Sequence, residues 1–102
     1  MTPRDVEAII NSQLASVPDT ADVRSAIVTP FLQEFILNDT YEQMSVPVKS
    51  VASYWVVAVG QFYSVFYDPA AREFGLADVL VGGKVPQTVG VRGDLVSTFR
   101  AM

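Results

Sequence analysis

Apolar positions near the start of the chain recur at helical spacing. Val6, Ile9, Ile10 and Leu14 fall on one stripe of a 3.6-residue helix. In Thr2-Pro3-Arg4-Asp5, Thr2 is placed to accept from the Asp5 amide, Pro3 suits the first helical position, and Asp5 sits at the positive end of the dipole. Val17-Pro18 stops the run, so the pattern predicts a helix from Pro3 to about Ser16. Asp19 or Thr20 then caps a second helix with an apolar stripe of Val23, Ile27, Val28, Phe31, Leu32, Phe35 and Ile36. Pro30 interrupts that stripe. With Thr29 as a new N-cap and Pro30 at N1, the pattern predicts a bend and a further short helix over Phe31–Leu37. A strand there would align Phe31, Gln33, Phe35 and Leu37, leaving Gln33 on the apolar face; helix is the preferred reading. Asn38-Asp39 ends it.

The period then changes. Thr40–Ser50 is a polar connector in which Met44, Val46 and Val48 alternate, an edge strand broken by Pro47. Val51–Asp68, VASYWVVAVGQFYSVFYD, reads as a β-hairpin that is apolar and aromatic on both faces. Gly60-Gln61 supplies a two-residue turn with Gly first, as type II′ requires, which pairs Val59 with Phe62 and Trp55 with Phe66. Trp55, Val57, Val59, Phe62 and Phe66 then share one face, the expected core. Tyr54, Val56, Ala58, Tyr63, Val65 and Tyr67 share the other, a half-wet tyrosine face. Asp68-Pro69-Ala70-Ala71 is a turn closed by Gly75. Leu76–Val81 returns as a strand ended by Gly82-Gly83, and Lys84–Val91 is a loop or short edge strand. Gly93-Asp94 caps a last helix from Leu95 to about Arg100. The expected fold is α+β: N-terminal helices packed on one face of a small antiparallel β-sheet with a central hairpin, closed by a short C-terminal helix. Residues 1–102 make a single domain.

Composition narrows the function. Half of the residues are hydrophobic and only 18% are charged, so the chain has core to spare and few groups to solubilise leftover apolar surface. Val51–Tyr67 approaches membrane-spanning length, but Ser53, Gly60, Gln61, Ser64 and its density of β-branched and aromatic residues favour strands, so no membrane is expected as partner. Seven basic residues are scattered among eleven acidic ones for a net charge of −4, which disfavours nucleic acid and anionic surfaces. With no His and no Cys, catalytic triads, Cys–His pairs and the usual zinc sites are excluded, leaving carboxylates, Tyr and Lys for any acid–base chemistry. The acidic opening MTPRDVEAII does not resemble a signal peptide, so a cytoplasmic location is the expectation.

Short motifs add little. Asn38-Asp39-Thr40-Tyr41-Glu42 lacks the alternating ladder of a Ca²⁺ loop, and Val81-Gly82-Gly83-Lys84 lacks the spacing and the Ser or Thr of a phosphate loop. Arg92-Gly93-Asp94 spells an adhesion tripeptide but reads better as a Gly hinge before a helix cap. The order of a helix, the proline-initiated TPFLQEFIL, a hairpin and a terminal helix resembles SUKH-type bacterial immunity domains, and the resemblance implies an antitoxin-like or immunity-like role. The candidate binding surface is Tyr54, Tyr63 and Tyr67 with a charged rim of Asp68, Arg72 and Glu73, since aromatic centres rimmed by Arg are typical of interaction surfaces. The expected function is that of a small acidic, non-enzymatic interaction protein, with no cofactor or metal. It binds another protein, or itself as a homodimer, through this aromatic hairpin face. The alternative is a small-molecule-binding domain, or an enzyme using Asp, Glu and Tyr in a pocket between helices and sheet.

Overall fold

The computed structural model describes residues 1–37, 51–79 and 85–102. Helix α1 spans Pro3–Ala15 and opens on a reciprocal capping box: the Asp5 amide donates to Thr2 Oγ1 at 3.3 Å and the Thr2 amide to Asp5 Oδ2 at 2.7 Å. A short helix α2, Ala21–Ala26, follows. Five strands then run as β1 (Ile27–Ile36), β2 (Val51–Val59), β3 (Tyr63–Asp68), β4 (Glu73–Asp78) and β5 (Thr88–Gly93), before helix α3, Leu95–Arg100. Each strand pairs antiparallel with its sequence neighbour, giving the order β1-β2-β3-β4-β5. The α+β arrangement is the expected one. Val51–Tyr67 lies in strands, and among the described residues no helix is long and apolar enough to cross a membrane.

The largest departure from expectation is β1. The segment Phe31–Leu37, read as a helix, is strand through Ile36 and pairs Phe31 with Val56, Gln33 with Tyr54 and Phe35 with Ala52. The alternation that puts Gln33 on the apolar face is the one adopted, with Gln33 half-buried between Phe31 and Phe35. Pro30 fits because the ladder is irregular between Ile27 and Phe31, so its missing N–H breaks no pairing there. The proline-initiated helix behind the immunity-domain resemblance is therefore absent.

The hairpin exists, but in another register. Val59 pairs with Ser64, not Phe62, and the Gly60 amide donates to the Tyr63 carbonyl at 2.8 Å, so Gln61-Phe62 occupies the turn. A bulge between Val56 and Ala58 shifts the pairing once more, joining Trp55 to Tyr67. Tyr54, Trp55, Val56 and Val57 of β2 keep their expected faces, but beyond the bulge Ala58 crosses to the helix side and Val59 to the other, and β3 is inverted: Val65 and Tyr67 turn towards the helices, while Phe66 turns away from them. Phe62 is consequently not core; it stands on the turn, 69% exposed. The reason lies in β4. Phe66 is opposite Gly75, where even a Cβ would come within 2.3 Å of the ring, and Tyr67 packs on Phe74 at 4.9 Å. Gly75 thus lies inside β4, and the turn before it is closed by Arg72 at φ +55°.

Two apolar clusters result. On one face, Val6, Ile10 and Leu14 of α1, Val23 of α2 and Leu95 and Val96 of α3 cover Trp55, Val57, Val65, Tyr67, Phe74 and Leu76. Burying each such aliphatic side chain contributes about 1.5–3 kcal/mol. On the other face Phe35, Tyr54, Val56, Phe66 and Ala77 pack together. The sheet curls enough that Ile36 bridges Gln87 in parallel and its amide donates to the Pro86 carbonyl at 2.9 Å. The helices pack on the outside of this curl and the second cluster fills the inside.

Candidate functional site

At one end of the inner face the chain gathers a charged and aromatic cluster around Arg92. The Phe66 and Tyr54 rings stack at 4.7 Å with an 11° tilt, and the Arg92 guanidinium lies over both, 5.4 and 5.6 Å from their centroids. Its Nη1 donates to Asp68 Oδ2 at 2.8 Å and to Glu73 Oε1 at 3.3 Å, and its Nη2 to the Tyr54 hydroxyl at 3.4 Å. Gly75 makes the approach possible: it sits between Phe66 on β3 and Arg92 on β5, and with no side chain of its own lets the ring and the arginine close over it. Burial pulls the Arg92 pKa down, but the hydrogen bonds to Asp68 and Tyr54 and the charges of both more than offset it, so the net shift is upward. Asp68 Oδ1 meanwhile accepts from the amides of Ala70 and Ala71 at 3.0 and 3.3 Å, capping the turn to β4.

Of the six residues expected to form a binding surface, the structure brings Tyr54, Asp68 and Glu73 together. Tyr67 is buried under the helices, Tyr63 lies at the hairpin end, and Arg72 is exposed in the turn. The single tyrosine face does not exist, because the shifted register sends Tyr54 and Tyr67 to opposite sides. The cation at the cluster's centre, Arg92, was visible in the sequence only as part of Arg-Gly-Asp. That tripeptide is not available as a free motif: Arg92 is turned onto the rings, and Asp94 caps α3 by accepting from the Ser97 amide at 2.8 Å. The signal that points to Arg92 is its place opposite Gly75, which becomes readable only once the strands are aligned. Both carboxylates here are engaged by N–H donors, so the cluster is a clasp joining β2, β3, β4 and β5.

The opposite end of the inner face is apolar and open. Phe31, Val59 and Val85 are each more than two-fifths exposed there, and Phe62 projects beyond them. A groove of about 240 Å³ runs between Phe31, Val56, Val59 and Val79, with Gln33 and Asp78 beside them. A second, of about 600 Å³, continues past Asp78 and Val79 to Phe62, Val85 and Pro86. The expected pocket between helices and sheet has a counterpart of about 390 Å³, lined by Ile10, Leu14 and Ile27 with Glu7, Asn11 and Arg24 around it. Its one carboxylate, Glu7, is solvent-exposed, and Arg24 is tied through Nε to Thr20 Oγ1 at 3.0 Å. Among the described residues no group of three or more potential metal ligands occurs. The acidic stretch at Asp39 and Glu42, the edge strand expected around Met44–Val48 and the Gly82-Gly83-Lys84 segment lie outside the described residues. No family model, curated protein or solved structure matches the chain.

Proposed function

We propose that this protein is a small acidic interaction domain that performs no chemistry of its own and binds another protein molecule through the open apolar end of its curled sheet. The observation that carries this reading is Phe62: a large aromatic ring, 69% exposed, held on a tight turn, with exposed Val85 on the same groove and exposed Phe31 and Val59 on the adjoining one. Aromatic residues in a contiguous apolar patch are the usual anchors of protein interfaces. A protein partner also suits the charge, since eleven acidic side chains against seven basic ones repel nucleic acid and anionic lipid alike.

The reading replaces the tyrosine face with the hairpin tip. It is tested by introducing a photo-crosslinking residue at Phe62 and, as a control, at the exposed Ser12 of α1, in cells that make the protein. A discrete adduct from position 62 and none from position 12 is expected. Absence of any adduct from position 62 removes the reading.

A further inference from the structure

The cleft of about 390 Å³ between α1 and the α2–β1 corner holds an arginine with two unused donors, and we infer that it binds a small apolar monocarboxylate. Its floor is Ile10 and Leu14 of α1, both 2% exposed, with half-buried Ile27 at the start of β1. Glu7, Asn11 and Arg24 stand exposed around that floor. An apolar floor with a few polar groups at its rim, in a volume within about 300–1,000 Å³, is the usual make-up of a small-molecule site. The cleft shares no lining residue with the two grooves at the hairpin end, so its ligand is separate from the protein partner proposed above.

Arg24 is held in place from behind. Its amide donates to the Thr20 carbonyl at 2.9 Å and its Nε to Thr20 Oγ1 at 3.0 Å, and Thr20 is only 5% exposed. Two bonds to one buried residue leave the side chain little rotamer freedom to lose on binding. With Nε engaged, the Nη1 and Nη2 end of the guanidinium has no partner among the described residues. That end presents two parallel N–H donors, which match the two oxygens of a carboxylate. Arg92 is the contrast, because its Nη groups already donate to Asp68, Glu73 and Tyr54. Glu7 limits what enters. It makes no ion pair with Arg24, so a second anionic group on the ligand would meet its repulsion, and the net charge of −4 adds to it. An uncharged apolar tail instead rests on Ile10, Leu14 and Ile27.

The test is a nitrogen-15 NMR titration of the whole protein with 4-methylpentanoate, with the matching alcohol as the uncharged control. Saturable shifts are expected at the amides of Ile10, Leu14, Arg24 and Ile27, with a dissociation constant on the order of 1 mM for so small a ligand. The alcohol is expected to bind at least about tenfold more weakly, since it forgoes the charge-assisted bonds. Arg24→Gln is expected to weaken the acid by a similar factor and leave the alcohol unchanged. Glu7→Gln is expected to tighten the acid by up to about threefold, the effect of one exposed charge. Shifts confined to the Phe62 end, equal binding of acid and alcohol, or undiminished binding by Arg24→Gln each overturn the inference. Should Arg24→Gln disturb the fold, Glu7→Gln decides in its place, and unchanged or weaker binding of the acid by that variant overturns the inference as well.

Discussion

The two ends of the inner face are built from the same kinds of residue and behave in opposite ways. At the Arg92 end, Phe66 is fully buried, Tyr54 nearly so, and every carboxylate oxygen of Asp68 has a donor. At the hairpin end, Phe62 and Phe31 face solvent and the polar groups are peripheral. Both phenylalanines of the hairpin, Phe62 and Phe66, had the same sequence-based claim to the core. The difference teaches that aromatic content alone does not separate core from surface in a two-faced hairpin. Register does, and here a bulge and a turn displaced by one residue send one ring under the sheet's curl and the other off its tip.

The contrast is most sharply broken by truncation at the closed end. Phe66→Ala removes a ring packed on Tyr54, Phe35 and the Arg92 guanidinium, and should lower unfolding free energy by about 3–5 kcal/mol in urea titrations. Arg92→Ala is next. It strips the partner from Asp68, whose side chain is only 10% exposed, and should cost about 2–3 kcal/mol, less than a fully buried pair because Arg92 itself keeps some solvent contact. Gly75→Ala would push a methyl group to 2.3 Å from Phe66 Cζ, and the ring cannot retreat from its stack on Tyr54; about 2 kcal/mol of destabilisation is expected from the same titrations.

Smaller effects belong to the helix ends. The Ser97 amide holds the Asp94 carboxyl below its ordinary 3.8, and the Thr2 amide does the same for Asp5. A carboxyl with a lower pKa in the folded state adds stability above the unfolded value and loses it as pH falls through the folded one. Helicity by far-ultraviolet circular dichroism should therefore decline on acidification below about pH 4. Asp94→Ala should cost about 1 kcal/mol at neutral pH and leave less of that acid-dependent loss to observe. Phe62→Ala comes last: an exposed ring should change unfolding free energy by no more than about 0.5 kcal/mol. A cost near that of Phe66→Ala would erase the distinction between the two ends and with it the case for a docking surface.

Local chemistry was readable wherever it is self-contained. Thr2, Pro3 and Asp5 write the start of α1, Asp94 writes the start of α3, and Asp68 writes its turn, because each capping bond spans only two or three residues of chain. The α+β layering and the apolar character of both hairpin faces followed from periodicity in the same way. Tertiary structure decided the rest. Phe31–Ile36 satisfies a helical stripe and a strand alternation about equally, and the ladder offered by Val51–Val56 settles it as strand. The register of β3 depends on a glycine in another strand, since only Gly75 leaves room for Phe66. Arg92 became the centre of the charged cluster, in place of Arg72, because β5 pairs with β4 and sets its side chain across that same glycine. A cap is a contact between near neighbours in sequence, whereas a register, a clasp and an exposed knob are agreements between segments far apart, and those exist only once the sheet has closed.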